Sequence, residues 1–242
     1  MRNFKLIIEY DGSRYAGWQR QENAATIQEE IEKSLARILQ EQIVVHGAGR
    51  TDAGVQARGQ VANFKISTSL DPYKLLGGLN GTLPEDIIVR SVEEVPLDFH
   101  ARFSAKSRTY SYTITVIPTA LLRHYTWYVT HRLETTLLVR SAGCILGTHS
   151  FRSFCRVQPD IDHYLCTVGE AIWTFDREYL KFRITANRFL HGMVRGLVGT
   201  MVDVARGYLP IDEYERLYVD GVRNDAGQSA PAKGLVLEEV TY

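Results

Sequence analysis

The run Gly47-Ala48-Gly49-Arg50-Thr51-Asp52-Ala53-Gly54-Val55 sets an aspartate among glycines. Glycine leaves the backbone open to unusual dihedrals, so a β-rich run ending here can display Asp52 at a strand end, where a carboxylate is available for chemistry. The same Asp-Ala-Gly is also ordinary turn chemistry. Arg50, two residues away, either holds a phosphate or sits in solvent. Other arginines gather in segments that read as loops or loop edges: Arg14 and Arg20, Arg58, Arg102 with Lys106 and Arg108, Arg152 and Arg156, and Arg188. A phosphate-binding set and scattered surface arginines are both open readings.

Absent motifs narrow the chemistry. The chain has no phosphate-cradling Gly-x-x-x-x-Gly-Lys, no dinucleotide glycine fingerprint after a strand, no Gly-x-Ser-x-Gly and no zinc-deaminase His-x-Glu with Cys-x-x-Cys. The expectation is chemistry without a nucleotide cofactor and without a metal. Cys144, Cys155 and Cys166 fit neither a disulfide framework nor a paired zinc spacing, and read as reduced and structural. Charge is balanced, 28 basic against 28 acidic residues, so any polyanion site must be local.

The elements that must position these residues follow from pattern. A chain of 242 residues, 45% hydrophobic, can bury one large core or two packed smaller ones. No apolar run approaches the roughly 18 residues of a membrane helix and the start lacks a signal peptide, so the expected location is the cytoplasm. Phe4 to Tyr10 reads as a strand running into the turn Asp11-Gly12-Ser13. Thr26-Ile27-Gln28-Glu29 has the form of a capping box, and Ile27, Ile31, Leu35 and Leu39 mark an amphipathic helix. Strands are expected at Ile43 to Val45, Gln60 to Ile66 and Asp86 to Val92, with a short helix opened by Asp71-Pro72. The second half opens with a strand, Arg108 to Val116, with Tyr110 and Tyr112 on one face. It continues with a helix over Glu134 to Leu146 and a hairpin pairing Leu165 to Phe175 with Tyr179 to Ala186. A helix from Phe189 to Arg206 and a strand near Leu235 to Val240 complete it. The pattern is α+β in two similar-looking halves, 1–105 and 106–242.

Four blocks occur in order: Tyr15-Ala16-Gly17-Trp18-Gln19-Arg20-Gln21, Asp52 with its flanks, Asp98-Phe99-His100-Ala101-Arg102-Phe103-Ser104-Ala105, and His191-Gly192-Met193-Val194-Arg195. Together they resemble the TruA family of tRNA pseudouridine synthases, from Tyr10-Asp11-Gly12 to Lys233-Gly234-Leu235. The resemblance implies two αβ halves joined into one extended, mostly antiparallel sheet, with helices packed on it and a central cleft. It implies a homodimer that holds one tRNA and acts on the anticodon arm, around nucleotides 38 to 40. Residue by residue, it implies that Asp52 is the nucleophile, Tyr110 the base-stacking ring and Arg195 the arginine paired with Asp52. Attack at ribose C1′ and attack at base C6 both stay open. Arg14, Arg20, Arg50, Arg58, Arg102, Arg108 and Arg188 would then contact substrate.

Each of these residues has a plainer reading. Tyr110 fits a strand aromatic facing a core, the role assigned to Tyr112. Arg195 falls beside the helix stripe Leu190, Val194, Leu197, Met201 and Val204, where a surface arginine can snorkel. Gly192, Gly196 and Gly199 are expected to mark close approach of another backbone. Gln56, Asn63 and Gly192 stand where the family often has histidines, so acid-base catalysis at 56 and 63 is not expected. Three function classes remain: a pseudouridine synthase, a non-catalytic RNA-binding module and a carboxylate hydrolase of a nucleoside bond.

Overall fold

A computed structural model describes residues 1–157, 161–218 and 226–242. Along the chain the strands are β1 (Arg2–Tyr10), β2 (His46–Gly47), β3 (Gln56–Ile66), β4 (Ile87–Val95), β5 (Ser107–Thr115), β6 (Trp127–Tyr128), β7 (Gly147–Ser150), β8 (Leu165–Phe175), β9 (Tyr179–Ala186) and β10 (Leu235–Thr241). The helices are α1 (Ile27–Leu39), α2 (Pro72–Thr82), α3 (Thr135–Gly143), α4 (Met193–Ala205) and α5 (Ile211–Arg216). The chain divides into two compact units, Met1–Lys106 with Val236–Tyr242, and Ser107–Leu235. Chain order alone groups the terminal strand with the second half. Its pairing with β3, Val236 opposite Gln56 and Leu237 opposite Ala57, returns it to the first unit.

In the first unit β1 lies between β4 and β3, antiparallel to both, and β10 joins β3 in parallel. Alternation along β1 sends Phe4, Leu6 and Ile8 into a core shared with Ile27, Ile31 and Leu35 of α1 and Leu75 and Leu79 of α2, each 0% exposed. Both helices start where capping predicts: Thr26 Oγ1 accepts from Glu29 N, and Asp71 Oδ1 accepts from Tyr73 N at 2.8 Å. The strand expected at Ile43 to Val45 does not form. Val45 N donates to Glu32 Oε1 at 3.0 Å and Val45 O accepts from Gln28 Nε2 at 3.1 Å, so side chains of α1 take the bonds a ladder would need. The strand begins one residue later, as β2 pairs His46 with Asn63.

In the second unit β9 lies between β5 and β8, antiparallel to both, with β7 beyond β8 and β6 parallel to β5. The hairpin β8–β9 has the predicted limits. Each unit is α+β, the class expected from pattern, and its sheet is mostly antiparallel, as the resemblance implies. Two helices are shorter than expected. α4 starts at Met193 rather than Phe189 because Gly192 has φ +74°, which no right-handed helix contains. The strands β6 and β7 and the helix α5 are too short to show a period and were not expected. Among the described residues no helix is long and apolar enough to cross a membrane.

Candidate active site

Asp52 is half-buried, directly after Thr51, which is 6% exposed. The loop that presents it is fixed from below by side chains and from the flank by backbone. Tyr10, at the end of β1, shares a 2.8 Å hydroxyl hydrogen bond with Thr51 Oγ1, and Gln60 Nε2 donates to Gly49 O at 2.9 Å. Burial raises the Tyr10 phenol well above its usual range, so its hydroxyl stays protonated. Trp18 N donates to Thr51 O at 3.1 Å and Gly54 N to Tyr15 O at 3.3 Å, clamping both sides of Asp52 to the Tyr15–Trp18 segment. A tight turn closes with Val55 N on Asp52 O at 3.2 Å, with Gly54 at φ +75°.

That clamp requires Gly17. Its φ is +99°, and a Cβ there would lie 2.5 Å from Thr51 O and 3.0 Å from the Asp52 carbonyl carbon. The sequence picked out the Tyr15–Gln21 block but not this contact, which joins segments far apart in the chain. Tyr10, Thr51 and Gln60 were also missed, since nothing local distinguishes them from strand and turn residues.

Gln56 is built into the same support. Its Oε1 accepts from Gly12 N at 2.6 Å while its Nε2 donates to Gly54 O at 3.2 Å and Ser13 Oγ at 3.3 Å. Asn63 accepts from Ala101 N at 2.8 Å and donates to Asn3 Oδ1 at 3.0 Å. Both amides hold loops together without titrating.

The arginines of the first unit separate by partner. Arg14 pairs with Asp86, Arg20 with Glu32 at 3.4 Å and Arg58 with Glu238 at 3.0 Å. Each of those charges is offset locally by a carboxylate. Arg50 instead donates its Nε to the neutral Gln19 Oε1 at 3.1 Å, and lies two residues from Asp52. The Arg102 guanidinium lies 5.5 Å from the Phe103 ring centroid.

In the second unit Tyr110 sits on β5 opposite Ile184, 7% exposed, with the Phe189 ring edge-on at 5.0 Å and 84°. Tyr112 is fully buried and its hydroxyl donates to Pro231 O at 2.8 Å, the core role expected for it. Arg195 is half-buried on α4. Its Nε donates to Ala230 O at 2.7 Å, and Ala230 N donates to Arg195 O at 2.9 Å, so helix and strand-leading segment hold each other. Close backbone approach is found at two of the three glycines: Gly196 abuts Phe154 and Gly199 abuts Gln228, whereas Gly192 has open space around it. The close approach expected at all three glycines is corrected at Gly192, which lies outside the helix as its N-cap. Arg108 Nη1 donates to Asn187 O at 2.9 Å, and Arg188 is half-buried beside Cys166, whose thiol burial pushes up to about 11.

A family model described as tRNA pseudouridine synthase matches residues 6–104 and 143–242, which defines the class as an isomerase. Asp52 lies in the first matched segment and Arg195 in the second; Tyr110 falls between them. Chains named tRNA pseudouridine synthase A from Acetivibrio thermocellus and Clostridium acetobutylicum are each 41% identical over 244 residues, covering 100% of this chain and 100% of theirs. One of the same name from Chlorobium phaeovibrioides is 44% identical over 243 residues with the same coverage. The chain belongs to the TruA family of tRNA pseudouridine synthases.

Proposed function

We propose that this enzyme converts uridines 38, 39 and 40 in the anticodon stem-loop of tRNA to pseudouridine, with Asp52 as nucleophile, Arg195 as its guanidinium partner and Tyr110 as the ring on which the displaced base stacks. The observation that carries the reading is the Asp52 loop. A half-buried carboxylate is held by backbone bonds on both flanks and by the buried Tyr10–Thr51 contact beneath, which is how a group is kept ready for attack rather than for structure. The reaction breaks the bond from ribose C1′ to uracil N1, turns the base and joins C1′ to C5; C5 loses a proton and N1 gains one. Atoms and electrons balance within the nucleoside, so no cofactor is required.

A base removed from its stack costs a few kcal/mol, part of which an aromatic face returns. The planar guanidinium of Arg195 suits bidentate pairing with a carboxylate, the role this reading gives it. Of the arginines assigned to substrate phosphates, Arg50 has the clearest case, because its hydrogen-bond partner among the described residues is the neutral Gln19. In this reading the enzyme works in the cytoplasm as a homodimer that holds one tRNA.

The test is tritium release from tRNA labelled at uridine C5. Release to water without free uracil is expected. Free uracil would indicate a nucleoside hydrolase, and undiminished label with bound tRNA would indicate an RNA-binding module.

A further inference from the structure

On β3 the core residue Phe64 alternates with Asn63 and Lys65, which share the opposite face of the sheet. The segment from Pro96 to Ser104 is seated on that face by a buried polar network. Asn3 Nδ2 donates to Pro96 O and to Phe99 O, each at 2.9 Å, Asn63 Oδ1 accepts from Ala101 N at 2.8 Å, and Tyr242 Oη donates to Ala101 O at 2.8 Å. Within the segment Ser104 N donates to His100 O at 2.9 Å and Arg102 N to His100 Nδ1 at 3.1 Å. These bonds order the loop before any partner arrives.

What the loop displays is aromatic. The His100 ring lies 4.5 Å from that of Phe103 and 5.2 Å from that of His46, and Phe103 is 76% exposed. Burial lowers the His100 pKa most, and its basic neighbours His46, Arg102 and Lys65 lower it further. Near neutral pH His100 is therefore a neutral ring in a basic setting. An exposed, fixed phenylalanine gains nothing in water, but it loses little freedom when a flat apolar face covers it. Aromatic faces ringed by cations suit unpaired nucleotides, whose bases stack on the rings while phosphates meet the charges. Five residues of chain separate His46 from Asp52, a span of at most about 22 Å fully extended.

We propose that Phe103, His100 and His46, flanked by Arg102 and Lys65, form a platform on which an unpaired nucleobase of the RNA substrate stacks, with the basic side chains taking the adjoining phosphates. The proposal rests on the tRNA substrate of the preceding reading and adds a second contact away from the reacting uridine.

The experiment compares the full chain with Phe103→Ala, Phe103→Leu and Phe103→Trp, measuring equilibrium binding of unmodified tRNA and of a fully paired RNA duplex of similar length. Because Phe103 is largely exposed, thermal melting should show all four folded. Alanine and leucine should each weaken tRNA binding about tenfold while tryptophan restores it, since stacking needs an aromatic plane rather than apolar bulk. Duplex binding should be unaffected. Parent-like binding by the leucine variant overturns the platform, as does equal weakening for duplex and tRNA. A changed sedimentation mass of the RNA-free alanine variant also overturns it, assigning the surface to protein contact. The two readings fail separately. Ring-dependent tRNA binding without tritium release would remove the isomerase and leave the platform; full tritium release with binding indifferent to the ring would remove the platform alone.

Discussion

Asp52 sits on a loop held largely by groups outside it, whereas Arg195 sits on a helix whose backbone hydrogen bonds are made within the element itself. Around Asp52 the restraints include Trp18 N on Thr51 O, Gly54 N on Tyr15 O and the Tyr10 hydroxyl on Thr51, none of them a helix or ladder bond. Around Arg195 the backbone is α4 itself, and one added restraint is the exchange of hydrogen bonds with Ala230. A loop offers a carboxylate more exposure than a packed element does, but its position is only as good as its external contacts. A helix positions a long side chain through packing. The first region should therefore be vulnerable through backbone changes at a distance, and the second mainly through the side chain itself.

The largest effect tests the loop's cargo. Asp52→Asn keeps size and hydrogen bonding but removes the proposed nucleophile; single-turnover tritium release should fall by roughly 10⁴-fold or more. Its tRNA affinity should stay within a few fold of the parent. A variant with near-normal turnover would take Asp52 out of the reaction and leave the loop a structural turn.

On the helix side the side chain should carry the effect. Arg195→Met removes both the charge and the bond to Ala230 O, and turnover should fall by roughly 10² to 10³-fold. Arg195→Lys keeps the charge without the planar fork and should fall between that variant and the parent. Lysine matching methionine would show that geometry, not charge, is what Arg195 contributes; both matching the parent would return it to a packing role.

The smallest effect separates contact from strain, using two glycines that share a left-handed backbone. Gly17→Ala, at φ +99°, pushes against the Thr51 and Asp52 backbone, whereas Gly192→Ala, at φ +74°, meets open space. Both should cost about 1–2 kcal/mol of stability for the dihedral alone, read as a shift in thermal midpoint. Only Gly17→Ala should also lower turnover, by about tenfold or more, because it displaces the proposed nucleophile Asp52. Equal rates in the two variants would mean that the Asp52 loop does not depend on the Tyr15–Trp18 clamp.

The sequence by itself determined what neighbouring residues decide among themselves. The four-residue spacing of Ile27, Ile31 and Leu35, the caps at Thr26 and Asp71, the β8–β9 hairpin and the glycine-framed Asp52 are all local patterns, and they survive folding because local propensity and burial agree there. Tertiary structure decided what distant groups do to one another. Val45 lies outside any strand because Glu32 and Gln28 of a preceding helix satisfy its backbone. Arg14 and Arg58 are tied to Asp86 and Glu238, 72 and 180 residues away, and no spacing rule foretells such partners. Gly17 supports Asp52 only because folding brings two loops to backbone contact, and β10 belongs with the first unit only because β3 offers it an edge. A pattern of a few residues fixes dihedrals and faces; which faces then meet depends on burying the whole chain at once, and that is where the support for Asp52 was settled.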